Sequence, residues 1–128
     1  MSDFQLYLAY TAAFTALMWL PYILNMIMVR GLMDAVGYPE NPKPMAPWAQ
    51  RMKAAHANSV ENLVVMATLA LVTPANMVTE TMTTAMLVYL ILRIGHFFAY
   101  TFKVPWVRTL TFVGAWACIV VVGIKILF

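Results

Sequence analysis

Residues 51–62 read Arg51-Met-Lys-Ala-Ala-His56-Ala-Asn58-Ser-Val-Glu61-Asn62, and they place cations, an imidazole, amides and a carboxylate in an otherwise apolar segment. On insertion scales an Asp, Lys or Arg at the centre of a membrane helix costs about 2.5–3.5 kcal/mol. Polar side chains in such a helix therefore normally face a partner, a cavity or a ligand. The function of this chain depends on which of these three applies.

The rest of the chain has too little polar surface to cover a soluble globule. Of its 128 residues, 63% are hydrophobic and 10% are charged, and the mean hydropathy is +0.79. Pro, Gly and charged residues separate four apolar segments, each long enough to span a bilayer at about 1.5 Å per residue. We predict one all-α domain over residues 1–128, a left-handed transmembrane four-helix bundle with helices over about 4–29, 48–72, 82–102 and 107–128.

Basic residues predict the orientation of these helices. The connection between the second and third helices, residues 74–81, carries Glu80 and no Lys or Arg, whereas Arg30, Lys43, Arg51, Lys53, Lys103 and Arg108 lie in or next to the other two connections. By the positive-inside rule those two connections are cytoplasmic and both termini lie on the other side. Lys125 is the exception, and we expect it to snorkel to the far interface. Compactness and the lack of a retention signal favour a bacterial inner membrane.

Proline and capping residues predict the connections. Residues 31–47 contain several prolines, so we expect extended and turn structure there. The second helix is predicted to start near Trp48, because Pro47 is tolerated in a first turn and Trp favours a membrane boundary. The third helix is predicted to start near Thr79-Glu80, since these residue types suit a helix N-terminus.

Several functional classes are excluded by what the chain does not contain. There is no CxxC, HExxH, phosphate-binding glycine loop or Ser-His-Asp pattern, so no metal site is predicted. The single Cys118 lies in an apolar run and is expected to be a packing residue. The pI is about 9.2, but the basic residues form no cluster, so nucleic acid is not an expected partner.

Each of the two middle helices carries one polar stripe. On the second helix the stripe consists of Arg51, Asn58, Glu61 and Asn62, with His56 near its edge. On the third helix it consists of Arg93, His96 and Tyr100. The spacings of three, four and seven place each set on one face under a 3.6-residue period. The two stripes predict a shared interface that does not face lipid.

Two interpretations of this interface remain open. In the first, Glu61 pairs with Arg93, and Asn58, Asn62 and His96 form interhelical hydrogen bonds. In the second, the stripes open towards the cytoplasmic side, where Arg30, Arg51, Lys53 and Arg108 also converge on an anion. A zwitterion with excess negative charge suits such a site, because guanidinium groups bind carboxylates and Glu61 binds an ammonium. Taken singly, His56 is more typical of a hydrogen-bonded helix residue than of a base, and Tyr100 of an interfacial anchor.

These motifs resemble the MAPEG family, the membrane-associated proteins of eicosanoid and glutathione metabolism, and especially its microsomal glutathione transferase branch. The first motif is Arg51 followed by Ala55-His56, Asn58 and Glu61-Asn62, and the second is Arg93-Ile94-x-His96-x-x-Ala99-Tyr100 followed by Pro105 and Arg108. Arg30 supplies the basic residue after the first helix. The chain differs from that branch in having Lys53-Ala54 before the Ala-His pair, and in a segment between Tyr100 and Arg108 that is about one residue shorter or differently spaced.

The resemblance implies a homotrimer that holds glutathione, its co-substrate, between neighbouring subunits near the cytoplasmic side. The implied glutathione-binding residues are Arg30, Arg51, His56, Asn58, Glu61, Arg93 and Tyr100. Arg108 would stabilise the thiolate, with Tyr100 as the second catalytic residue. The expected function is a membrane-bound glutathione S-transferase or peroxidase for hydrophobic electrophiles. It would act in detoxification and be surrounded by membrane lipids. The alternative is a non-catalytic lipid-binding protein of the same fold, or an accessory subunit of a larger membrane complex, in which the stripes only join helices.

Overall fold

The computed structural model describes residues 1–128 and contains helices and no strands. The helices are α1 (Asp3–Leu17), α2 (Trp19–Arg30), α3 (Leu32–Val36), α4 (Pro47–Val72), α5 (Glu80–Thr101) and α6 (Pro105–Leu127), with a 3₁₀ turn at Ala75–Met77. Four helical spans are long and apolar enough to cross a membrane, the first formed by α1 and α2 together. The predicted all-α, four-helix fold is confirmed, and the chain is an integral multi-pass membrane protein.

The ends of the four spans lie within about two residues of those expected, because the sequence carries recognisable terminal signals. The Oγ1 atom of Thr79 caps α5, and Pro47 and Pro105 occupy the first positions of α4 and α6. No side chain of α4 itself caps that helix. Instead Asn25 on α2 accepts the backbone N–H of Ala46 at 2.9 Å, which ties the start of α4 to α2.

The first span and the first connection depart from the expected structure. The span is interrupted at Met18, because Pro21 has no N–H to donate to the carbonyl one turn earlier. The connection was predicted to be extended or turn structure, and this is wrong for Leu32–Val36, which form α3. Gly31, with φ of 80°, ends α2 before it. No proline falls between Gly31 and Gly37, so these residues can form a short helix, which ends at Val36.

The interior consists of two apolar clusters separated by polar residues. One cluster centres on Met86 and Tyr89 of α5, together with residues of α1, α4 and α6. The other centres on Met52 of α4 and Phe97 of α5, with residues of α2. Arg93 lies between Tyr89 and Phe97 along α5 and is 2% exposed. A charged side chain therefore lies in the middle of the bundle, where α4 and α5 pack together.

Candidate functional site

A polar cleft opens where α5 ends and α6 begins. Its volume is about 300 Å³. Only three residues connect Thr101 to Pro105, so the last turns of α5 lie against the first turns of α6. The cleft is lined by one residue of α4 and by residues of these turns: Asn58, His96, Tyr100, Arg108, Thr109 and Phe112.

The cation of the cleft is Arg108, which is exposed. Its Cζ atom lies 5.0 Å from the ring centroid of Tyr100. A cation–π contact of this kind holds the guanidinium over the ring and does not consume its N–H donors. The ring of His96 meets Tyr100 edge-on at 5.7 Å and lies 6.1 Å from that of Phe112. The cleft thus presents a positively charged set of donors against an aromatic wall.

Arg93 connects the cleft to the interior of the bundle. Its Nη2 atom donates to Oδ1 of Asn58 at 2.7 Å and to Oγ of Ser59 at 2.9 Å. Its Nε and Nη1 atoms have no partner within the chain, and Nδ1 of His96 has none either. The interhelical contact expected between the stripes is present, but it uses Asn58 and Ser59. The suggested pair of Glu61 with Arg93 is not formed.

Three of the predicted glutathione-binding residues make hydrogen bonds elsewhere in the subunit. None of the three lines the cleft. The bonds are Arg51 Nε to the Thr101 carbonyl at 2.9 Å, His56 Nδ1 with the Tyr22 hydroxyl at 2.7 Å, and Arg30 Nε to the Lys43 carbonyl at 2.7 Å. A single chain therefore does not bring these arginines together on one anion, because Arg30 at the end of α2 and Arg51 on α4 bond to different neighbours.

A family-model comparison matches the MAPEG family over residues 7–128. The chain belongs to the MAPEG family. No curated protein and no solved structure matches it. The MAPEG match begins inside α1 and extends beyond α6, so it contains every residue of the cleft. The family includes glutathione transferases and proteins of lipid metabolism, and it fits a four-helix bundle.

In this MAPEG protein the predicted site residues divide into three groups. Asn58, Tyr100 and Arg108 line the cleft, with Arg93 bonded to the first of them. Arg30, Arg51 and His56 are bonded elsewhere. Glu61 is exposed on α4 and lines no pocket of the single chain.

Sequence reasoning did not assign three cleft residues to the site. His96 was placed on the polar stripe but given no role in the site. Phe112 lies four residues after Arg108, and that spacing alone indicates a shared face of α6. Thr109 carries no comparable signal in the sequence. In the structure its hydroxyl donates to the carbonyl of Pro105 at 3.2 Å, as helical threonines often do.

Proposed function

We propose that this protein is a membrane-bound glutathione S-transferase or peroxidase that acts on hydrophobic electrophiles. The observation that carries the proposal is the exposed guanidinium of Arg108, held 5.0 Å from the ring centroid of Tyr100 in a polar cleft. An anion of the size of a thiolate would meet a cation, a phenol and an amide there. Membership of a family that includes glutathione transferases supports the same reading.

The chemical task of such a site is to ionise a thiol. A thiol of pKa near 8.5 is only a few per cent ionised at pH 7, and lowering that pKa by two units requires ~2.7 kcal/mol of preferential thiolate stabilisation. Arg108 supplies the opposite charge from the first turn of α6, where the helix dipole also favours an anion. The Tyr100 hydroxyl would donate a hydrogen bond to the sulfur.

The ionised sulfur then reacts with a molecule dissolved in the bilayer. With an aryl halide it forms a carbon–sulfur bond, and the halide leaves with the bonding electron pair. With a hydroperoxide it attacks the outer oxygen, the O–O bond breaks, and the leaving alkoxide takes a proton and departs as the alcohol. The glutathione sulfenic acid so formed condenses with a second glutathione to give the disulfide and water. In both reactions the residues of this chain bind the peptide and hold the negative charge on sulfur. The apolar surfaces of the helices receive the electrophile.

The single-chain cleft is small for this task, which supports a site completed by a second subunit. Its volume of about 300 Å³ is at the lower end of the range of small-molecule sites. Glu61 lies near the middle of α4 and is exposed, and a carboxylate facing lipid at that depth would cost several kcal/mol. We infer that the chain forms a homotrimer in which a neighbouring subunit packs against Glu61. Glu61 of one subunit would then contact the ammonium of the glutathione bound in the cleft of that neighbour.

The charge distribution supports a cytoplasmic position for the cleft. The α5–α6 turn carries Lys103, and Arg108 follows it in the first turn of α6, so the positive-inside rule puts this turn on the cytoplasmic side. Glutathione sets the thiol redox poise of the cytosol. The proposed setting is a bacterial inner membrane with both termini on the far side.

The first experiment measures turnover with glutathione and a generic aryl halide. In Arg108→Ala we expect a loss of about 100-fold or more, the size of effect seen when a donor to a developing anion is removed. Lys103→Ala is the matched control, because it removes a nearby exposed cation, in the α5–α6 turn, that does not line the cleft. Equal losses in both variants, or none in Arg108→Ala, would contradict the assigned role.

The second experiment tests whether the site lies between subunits. Glu61→Ala and Arg108→Ala chains are each expected to be inactive as homotrimers. When the two are co-expressed, about a quarter of the sites in randomly mixed trimers would combine both native residues, so activity should return. If the two residues belonged to one chain's site, mixing would restore nothing.

A second candidate is the non-catalytic protein, a lipid-binding module or an accessory subunit. It is favoured by the internal hydrogen bonds of Arg51, His56 and Arg30, which use residues that the transferase would need for its peptide. Purified protein that shows neither turnover nor a glutathione-dependent shift in melting temperature would establish this candidate over the transferase.

A further inference from the structure

A second groove lies between α5 and α6 at the end of the bundle opposite the cleft. Its volume is about 480 Å³. Its walls are apolar except at one end, where the first turns of α5 contribute a carboxylate and two hydroxyls. The lining residues are Glu80, Thr81, Thr84, Ala85 and Val88 of α5 and Ala117, Cys118 and Val121 of α6.

Charges of both signs flank the polar end of this groove. Glu80 is the first residue of α5 and is exposed. Lys125 is exposed on α6, four residues after Val121, which puts it on the same helix face about 6 Å further along the axis. Because α5 and α6 are antiparallel, Glu80 and Lys125 lie at the same end. Lys125 is also the one basic residue that the positive-inside rule does not account for.

The two threonines of the groove differ from most others in the helices. Threonines elsewhere donate their hydroxyl to a carbonyl in the preceding turn, as Thr83 does to Thr79 and as those of α1, α4, α6 and the end of α5 do. Thr81 and Thr84 are exposed and make no such bond. Their hydroxyls are therefore free to contact a ligand in the groove.

We propose that this groove binds one phospholipid whose headgroup carries a primary ammonium. The ammonium would lie against Glu80, the phosphate would lie between Lys125 and the hydroxyls of Thr81 and Thr84, and an acyl chain would follow the apolar wall. Complementary charge favours this occupant, since a zwitterionic headgroup matches a carboxylate and an ammonium at a membrane boundary. A primary ammonium has N–H donors for Glu80, whereas a choline has none.

The experiment is native mass spectrometry of the intact oligomer, titrated in detergent with phosphatidylethanolamine, phosphatidylcholine and phosphatidylglycerol of identical acyl chains. We expect phosphatidylethanolamine to bind at least about fivefold more tightly than the other two, a ratio equivalent to ~1 kcal/mol. Glu80→Gln should remove this preference, and Lys125→Gln should weaken the binding of all three lipids. Asp3→Asn is the matched control, because it makes the same charge change at the same side of the bundle and should keep the preference.

A groove-filling variant separates a lipid from a second protein copy as the occupant. Ala117→Trp should abolish lipid binding and leave the mass of the oligomer unchanged. Equal binding of the three lipids, or a preference that persists in Glu80→Gln, would overturn the proposal. So would dissociation of the oligomer in Ala117→Trp, because the groove would then be a contact between copies. None of these outcomes depends on glutathione turnover.

Discussion

The junction of α2 with α4 and the cleft between α5 and α6 use the same kinds of polar residue in opposite ways. At the junction the hydroxyl of Tyr22 lies 2.7 Å from Nδ1 of His56, and Asn25 accepts the N–H of Ala46. In the cleft the guanidinium of Arg108 is exposed, and its contact with Tyr100 is with the ring face. The polar groups of the junction are hydrogen-bonded within the chain, whereas the guanidinium of the cleft is exposed to a ligand.

This difference distinguishes polar residues that stabilise the subunit from polar residues that can bind a ligand or another subunit. An unsatisfied polar group in a membrane costs several kcal/mol, so such a group is stable only where a ligand, water or another subunit meets it. By this criterion we propose the cleft as the functional site and assign the α2–α4 junction to the scaffold. Variants in the two regions should therefore differ in whether they affect stability or turnover.

The largest effect on stability is expected at Arg93, which lies between the two apolar clusters. Arg93→Ala should lower the free energy of unfolding by about 3 kcal/mol, because a large buried side chain is replaced by a cavity. Arg93→Met should stay within about 1 kcal/mol of the native protein, since it fills the space without a buried charge. Equilibrium unfolding in detergent measures both. A Met variant as damaged as the Ala variant would mean that the bonds to Asn58 and Ser59 are essential to the bundle.

The next largest effect is expected on turnover. Tyr100→Phe removes a phenol from the cleft but keeps the ring beneath Arg108. Turnover with glutathione should fall about tenfold, equivalent to ~1.4 kcal/mol, with the melting temperature unchanged. The same substitution at the junction, Tyr22→Phe, should leave turnover unaffected. Similar rates in the two variants would remove the functional distinction between the regions.

Tyr22→Phe should instead affect stability. Loss of the hydroxyl leaves the half-buried His56 without its partner, so the free energy of unfolding should fall by about 1 kcal/mol. Thermal unfolding of the Tyr22→Phe and Tyr100→Phe variants side by side is the measurement. A larger loss of stability in Tyr100→Phe would indicate that the cleft, too, is scaffold.

The smallest effect is expected for a cleft residue whose polar group is already occupied. Thr109 lines the cleft, but its hydroxyl donates to the carbonyl of Pro105. Thr109→Val keeps the shape of the side chain, so turnover should remain within about twofold, less than ~0.5 kcal/mol. A marked loss in kinetic assays would reveal a contact between this hydroxyl and the substrate.

The sequence was sufficient for the spans because hydropathy and terminal residues act locally. Thr79 and Pro47 indicated the starts of α5 and α4 to within about two residues. The interruption at Met18 has a local signal as well, the missing N–H of Pro21. The family was recognisable because its motifs consist of spaced polar residues on two helices.

The division of the polar stripe could not be predicted from spacing. A period of 3.6 residues fixes the angle between Arg51, His56, Asn58 and Glu61 around α4, but it does not say which element lies at each angle. The fold places α5 beside Arg51 and Asn58 and α2 beside His56, and it leaves Glu61 exposed. Tertiary packing thus separated residues that the sequence grouped together.

Arg93 separates the two apolar clusters of the subunit, so the two clusters can differ in how easily they open. Apolar packing is not continuous across Arg93, so loosening of the cluster beside the cleft need not spread to the one built around Met86. A molecule that enters laterally from the lipid would then separate the helices beside the cleft, while the packing around Met86 holds them together at the other end. Hydrogen exchange should then be fast near Phe97 and slow near Met86.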